Sequence, residues 1–361
     1  MTASPLVTVL TVTYNGGRYL AATIESVLGQ TFTDFEYLIV DNASTDNSRQ
    51  IVEAYAARDP RVRLIESIVN CGPAGGLNLG LQAAQGKYVA NLDHDDLAAA
   101  HRLAVQIDVL ESNPDVGFVG GWLRFIDEDG QILFTYEHAP GHEQIHWSLM
   151  THCELAHSAT TFRRALVTAS GGYSPHHHLI CDYELFSWLR DHTRFLNVAD
   201  YLVDYRYFSG QSSRRYRQAQ HLQILMLWAS IQRGISDTKW TFQAWHHFYR
   251  AWKGEPLAEA ASLLEGAAVA EAIVDGYLAH YTPNPQMTTL VQRDGAIWLL
   301  TMALRHRRHL PQTARDLYRR ALSLNPTLWT DPHTWAELRR IRRTQVYRKA
   351  VNGPMALLPF Q

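Results

Sequence analysis

The chain has 361 residues, room enough for two domains, and its 46% hydrophobic and 19% charged content is that of a folded globular protein. A formal net charge of −2 excludes bulk electrostatic attraction to nucleic acid and an acidic solvating tail. The three cysteines, Cys71, Cys153 and Cys181, are odd in number and lack metal-ligand spacing, which excludes a disulfide framework and suits a reducing compartment.

The chain begins MTASPLVTVLTVTYNGG, with neither a basic leader nor an unbroken apolar stretch, so no signal peptide is expected. Short β-branched runs then alternate with helical patterns. Leu6–Val12 reads as a strand and Arg18–Leu28 as a helix. Phe35–Val40 and Asp46–Ala57 repeat the pair, then Val62–Ile65 and Ala74–Ala84, then Lys87–Leu92 and Ala98–Ser112. This alternation predicts an α/β fold, a Rossmann-like and mostly parallel sheet with helices on both faces. Polar clusters fall at the strand carboxyl ends, where such sheets bind ligands: Thr13-Tyr14-Asn15, Asp41-Asn42 and Asp93-His94-Asp95-Asp96. From Val116 to Phe134 two extended runs flank Asp127-Glu128-Asp129-Gly130, a hairpin turn. A further helix is expected over Tyr183–His192.

Beyond Arg214 the strand signals stop. Gln218–Arg233, Trp240–Trp252, Leu257–Tyr281, Pro285–His306, Thr313–Leu324 and Pro332–Val351 read as helices. The organisation is therefore a domain over 1–214 followed by an all-α region over 215–361. Trp228, Trp240, Trp245, Trp252 and Trp298 lie at helical spacing and read as core. Ala314–Pro326 is a single repeat-like fragment without a regular period. Basic residues gather at Arg305–Arg308, Arg315–Arg320 and Arg339–Lys349, either a solvated helical face or a peripheral contact with an anionic inner-membrane surface. No apolar run reaches the roughly 18–20 residues of a membrane span, so the chain is expected to be cytoplasmic.

The strongest chemical signal is LDHDD, Leu92–Asp96. Three carboxylates in four residues repel unless a cation or a proton intervenes, and such oxygen clusters suit Mg²⁺ or Mn²⁺. The plain alternative is a helix cap by Asp95 or Asp96. Asp41 can accept from a base or ribose, whereas Asp46 reads as structural. Thr13-Tyr14-Asn15 offers amides and an aromatic face to a base. Asn70–Asn78 is a glycine-rich entry to a helix, a phosphate cradle or a simple turn. His176-His177-His178 reads as a solvated loop. His157 is either a packed histidine or a site residue.

The ordered set VTVLTVTYNGGRYLAATIESVLGQTFTDFEYLIVDNASTD and NCGPAGGLNLGLQAAQGKYVANLDHDD resembles the inverting family-2 glycosyltransferases. HSATTFRRALVTASGGYSPHHHLICDYELFSWLR and VDYRYFSGQSS extend the likeness across about residues 5–215. The resemblance implies a GT-A-type fold and transfer of a sugar from a nucleoside-diphosphate donor, UDP-linked, to a hydroxyl of a glycan or lipid-linked acceptor, in polysaccharide or glycolipid synthesis. It further implies that Thr13, Tyr14, Asn15 and Asp41 line the nucleotide pocket and that Asn78 braces or binds there. Asp93 would contact the ribose or the water shell of the metal, Asp95 would ligate Mn²⁺ or Mg²⁺, and Asp182 would be the general base. The plain alternative for Asp182 is the N-cap of the helix over Tyr183–His192. Three positions depart from the family: Cys181 before the base, Leu77 before Asn78, and Phe208 two residues after Arg206. A sugar nucleotidyltransferase and a non-catalytic nucleotide-binding scaffold are the competing readings.

Overall fold

The computed structural model describes residues 4–211, 215–236, 239–253, 255, 257–328, 330, 332 and 334. They form two units that part between Gln220 and His221.

In the first unit β1 (Val7–Thr13), β2 (Phe35–Asp41), β3 (Val62–Glu66) and β4 (Tyr88–Asn91) alternate with α1 (Leu20–Leu28), α2 (Ser48–Ala56) and α3 (Gly72–Ala83). The runs VTVLTVT and FEYLIVD are buried almost throughout, as strands covered on both faces must be. β1 pairs in parallel with β2 and β4, and β2 with β3. Helix α3 lies close against β1. A Cβ on Gly80 would come within 2.2 Å of Leu10 Cδ1, and one on Gly76 within 2.5 Å of Val12 Cγ1, so glycine is what permits this approach.

The sheet continues through β5 (Leu97–Ala98), β6 (Val116–Ile126), β7 (Ile132–Tyr136), β8 (Thr161–Arg163) and β9 (Arg194–Arg206). Among the described residues its order is β3-β2-β1-β4-β8-β6-β9-β5, with β7 hydrogen-bonded to β6. β8 runs antiparallel to β4 and β6, while β9 runs parallel to β6 and antiparallel to β5. The sheet grows from β1 towards β3 and then resumes on the other side at β4. Such a reversal opens a crevice at the strand carboxyl ends. β4 ends level with Leu10, short of the end of β1, so the Leu92–Asp96 turn leaves the sheet beside the last residues of β1. Helices α4 (Arg102–Ser112), α5 (His142–Ser148), α6 (Arg164–Ala169) and α7 (Cys181–Leu189) complete this unit.

Several local expectations change. Leu97-Ala98 is a strand rather than the start of a helix, because it pairs with Val203-Asp204. Helix α4 therefore begins at Arg102, and neither Asp95 nor Asp96 caps it. Asp182 is not a cap either: the N-cap of α7 is Ile180, and Asp182 lies in the first turn. His157 opens a short 3₁₀ turn, and the strand after it begins only at Thr161. The Asp127–Gly130 hairpin forms as read, with Asp127 Oδ1 accepting from the Asp129 and Gln131 amides.

The second unit is helical: α8 (Arg217–Ile235, entering from the first unit), α9 (Phe242–Lys253), α10 (Ala260–Tyr281), α11 (Pro285–His306) and α12 (Pro311–Leu324). Trp228 packs against Trp245, Phe248 and Trp252, and Phe248 against Trp298, so these aromatics form the core. Trp240 precedes α9 rather than lying within it. Most of the helix expected over Pro332–Val351 lies outside the described residues. No helix among those described is long and apolar enough to cross a membrane.

Candidate active site

Three loops leave the carboxyl edge of the parallel strands. In the first, Thr13 is fully buried, its Oγ1 has no hydrogen-bond partner among the described residues, and Tyr14 is 46% exposed. Asn15 adopts φ 54°, which lets its Oδ1 accept from the Thr45 amide at 2.8 Å while its own amide donates to Ser44 Oγ. Asp46 accepts from the amides of Gly17 and Ser48, joining the β1 and β2 loops, a structural task as expected. Asp41 is buried at the end of β2, with Oδ1 accepting from the Ser44 amide. Beside it, Asn42 donates to Asn70 Oδ1 and Gly72 O and accepts from the Cys71 amide, tying β2 to the glycine-rich entry of α3.

After β4 comes the acidic turn. Carboxylate oxygens of Asp93, Asp95 and Asp96 lie within 4.8 Å of one another. Asp96 is fully buried; Oδ1 accepts from the Arg206 amide at 2.8 Å, and Oδ2 has no hydrogen-bond partner among the described residues. Burial, then the charges of Asp95 and Asp93, push the Asp96 pKa well above the usual carboxylate range. Burial raises Asp95 too, with Asp93 adding to it. The side chain of Asp93 is 47% exposed; desolvation opposes its ionisation, but His157, His94 and Arg102 outweigh it and hold its pKa low. An all-oxygen cluster with an unsatisfied buried carboxylate oxygen fits a hard divalent cation.

Two buried arginines shape this turn. Arg102 lies beneath it, donating from Nη2 to Asn91 O at 2.6 Å and from Nε to Gln106 Oε1. Burial lowers its pKa to about 10, while Asp96 and Asp93 hold it up. Arg206, at the end of β9, donates from Nε to Asp95 O and from Nη1 to Asp127 O and Glu128 O, with its guanidinium 4.5 Å from the centre of the Tyr19 ring. One side chain thus joins the acidic turn to the β6–β7 hairpin.

On the other side of the turn, His157 Nδ1 faces Asp93 Oδ1 at 4.0 Å. Its Nε2 meets Asn91 Nδ2 at 2.8 Å and the Tyr173 hydroxyl at 3.1 Å. Burial would lower the His157 pKa, but Asp93 and Asp182 together raise it. The same two charges act on Tyr173. Asp93 and Asp182 thus share one electrostatic neighbourhood although 89 positions apart by their residue numbers. Cys181, beside Asp182, is a buried thiol whose pKa burial and the Asp182 charge push well up. Both amide atoms of Asn78 engage the Tyr173 backbone at 2.8 Å, where Gly172, at φ 79°, leaves no room for a Cβ. Asn78 therefore clasps α3 to the Gly171–Tyr173 turn. In the histidine run, His177 Nδ1 lies 2.7 Å from buried Glu184, while His176 and His178 are exposed.

Residues 8–169 match the family model for glycosyl transferase family 2. The matched stretch lies wholly within the N-terminal unit, which therefore carries a region similar to this family. An uncharacterized glycosyltransferase of Methanocaldococcus jannaschii, MJ1057, is 40% identical over 135 residues, 37% of this chain and 47% of the relative. Glycosyltransferase GlyG of Streptococcus pneumoniae is 33% identical over 132 residues, 36% of this chain and 44% of the relative. The chain thus spans about half the length of the curated relatives it matches. Among solved structures, S. aureus TarS 1–349 superposes with TM-score 0.52 at 16% identity, covering 87% of this chain and 89% of TarS 1–349. The mannosyltransferase PcManGT of Pyrobaculum calidifontis, solved with GDP-Man and Mn²⁺, gives TM-score 0.50 at 20% identity, covering 91% and 89%. At such identities the likeness speaks for the fold, the mixed sheet of a GT-A-type domain followed by helices.

Within this unit, the contributions of Arg102, Arg206, Asn91 and Tyr173 are not legible in the sequence, whereas His157 is one of its open candidates. Asp96 is legible as the third acid of LDHDD, where a cation cluster and a helix cap are the two readings. Arg206 stands out in the sequence only as the residue two before Phe208. Arg102 gave no signal, since an arginine in a helical pattern is ordinarily exposed.

Proposed function

We propose that the protein is an inverting glycosyltransferase that uses a nucleoside-diphosphate sugar, UDP-linked, and delivers the sugar to a hydroxyl of a glycan or lipid-linked acceptor in polysaccharide or glycolipid synthesis. The observation that carries this reading is the Asp93–Asp95–Asp96 cluster beside the sheet's reversal point, in a chain whose solved neighbours include complexes with UDP-GlcNAc and with GDP-Man and Mn²⁺. Thr13, Tyr14 and Asn15 receive the base, and Asp41 the base or ribose. Asp93 and Asp95, with Asp96 behind them, hold Mn²⁺ or Mg²⁺, which when bound offsets the charge of the diphosphate.

Asp182 accepts the proton of the acceptor hydroxyl. The hydroxyl oxygen forms its bond to the anomeric carbon as the bond from that carbon to the diphosphate oxygen breaks, and the electron pair leaves with the nucleoside diphosphate. One base on the face opposite the leaving group gives inversion. The protein acts in the cytoplasm, with peripheral membrane contact through its basic helices.

The test is thermal shift with UDP, GDP and TDP and their sugars, with and without Mn²⁺. A ligand at a hundredfold excess over its dissociation constant should add about 2.7 kcal/mol of apparent stability. UDP should win. No response to any nucleotide with metal would overturn the enzyme reading in favour of a scaffold.

A further inference from the structure

The second unit holds a cavity of about 470 Å³, within the range of small-molecule sites, walled by the first turns of α11 and the chain that follows α12. Gln286, Thr289 and Arg293 stand three and four residues apart, so one face of α11 presents all three. The other wall is braced from within. The Leu328 amide donates to Asn325 O at 3.1 Å, the Thr330 amide to Thr327 O at 2.9 Å, and the Leu328 side chain is fully buried.

The polar atoms of this cavity are sorted by role. Each lining threonine donates its hydroxyl proton inside the protein: Thr289 to Pro285 O at 2.9 Å, Thr330 to Thr327 O at 3.0 Å and Thr327 to Asn325 Oδ1 at 2.9 Å. Lone pairs are what these oxygens still offer, so a ligand must bring hydroxyl protons. Asn325 Oδ1 also accepts from the Thr327 amide, which fixes the orientation of the side-chain amide and leaves Nδ2 to donate. Asn325 is only 8% exposed, and its Nδ2 has no hydrogen-bond partner among the described residues. A polar group so nearly enclosed calls for an acceptor from outside the chain. Arg293 gives one edge of its guanidinium, Nε and Nη2, to Asp294 Oδ1 at 3.2 and 3.1 Å. Among the described residues the end of that fork, Nη1 with the second proton of Nη2, is not engaged, and it suits a planar anion. No acidic and no aromatic side chain is found among the described residues lining the cavity, so neither cation binding nor ring stacking is its mode.

We propose that this cavity binds a saccharide that carries a carboxylate. Sugar hydroxyls donate to the three threonines, sugar oxygens accept from Asn325 and Gln286, and the carboxylate meets the end of the Arg293 fork. The inference stands on the second unit alone and does not need the donor reading above.

The test is titration calorimetry on the full chain with glucuronate, galacturonate and mannuronate, each beside its parent hexose. EDTA is present, so that no cation at the acidic turn captures a carboxylate. At least one uronate should bind, about tenfold or more tighter than its hexose, because charged hydrogen bonds to Arg293 are the difference between them. Arg293→Gln should erase that advantage. Thr289→Trp, at an exposed position, should block sugar and uronate alike while melting near wild type. If Arg293→Gln melts low, Thr289→Trp decides. Absence of uronate binding, equal affinity for uronate and hexose, or uronate binding that survives Thr289→Trp overturns the proposal. No nucleotide enters this experiment, so its failure leaves the donor assignment where the nucleotide thermal shifts put it.

Discussion

Replacing Asp96 with Asn removes one charge from the acidic turn while keeping the oxygen that accepts the Arg206 amide. Oxygens of the three carboxylates lie within 4.8 Å of one another. At an effective dielectric constant of about 20, each fully ionised pair then repels by about 3.5 kcal/mol. The buried Arg102 guanidinium and the solvent at half-exposed Asp93 offset part of this, and a proton on Asp96 relieves much of the rest. Because the folded-state pKa of Asp96 is raised, the folded protein binds that proton more tightly than the unfolded chain does. The stability so gained is complete below the ordinary carboxylate range near pH 4 and is lost as pH rises through the folded pKa. In EDTA the variant should therefore out-melt wild type at pH 8 by roughly 1–3 kcal/mol, several degrees for a unit of this size, with the gap narrowing towards pH 5. Scanning calorimetry at stepped pH reads this directly. Repeating it with Mn²⁺ should raise the wild type more than the variant. A variant that melts below wild type at pH 8 in EDTA refutes the reasoning, since the third carboxylate would then be a net source of stability.

Asp182→Asn should lower kcat by about 10²–10⁴-fold while leaving UDP·Mn²⁺ affinity within error, as stopped assays and calorimetry on one preparation would show. Arg206→Gln should cost about 3–5 kcal/mol of stability, because three backbone carbonyls lose a buried charged donor; urea unfolding measures it. Glu154 is buried and accepts from His138, His152 and the Tyr136 hydroxyl; burial opposes its ionisation, but the two histidines hold its pKa well below the usual value. Its contribution is present above the unfolded carboxylate value, near pH 4.5, and fades as pH falls through the folded pKa, so Glu154→Gln should flatten the acid limb of a urea-midpoint profile. Gly80→Ala should destabilise by about 1–3 kcal/mol through overpacking against Leu10, read from chemical unfolding.

The parallel half of the sheet was readable because its signals are local. Buried strands such as FEYLIV and amphipathic helices such as SRQIVEAYA declare themselves within a window of ten residues. The hairpin at Asp127–Gly130 was legible for the same reason, since its turn chemistry is written in adjacent residues. Leu97-Ala98 was misread because its strand state is imposed by β9, more than a hundred positions later. The acids of LDHDD could be found from the charge they crowd together, but their unequal surroundings could not. Asp93 is half-exposed beside His157 and Asp96 is sealed beneath Arg206, and only the folded chain distinguishes them. Asn78 reads in sequence as a possible ligand; folding spends both its polar atoms on the Tyr173 backbone.

The Arg206 clasp has a bearing on how this protein comes into being on the ribosome. The amide that satisfies Asp96, and the guanidinium that fixes the Asp95 carbonyl, both arrive with the closing strand, 110 and 111 positions downstream. A nascent chain halted before β9 holds every acid of the turn and lacks the partner that orders it. The acidic turn can therefore take its folded arrangement only once β9 is in place, when the first unit is almost fully translated.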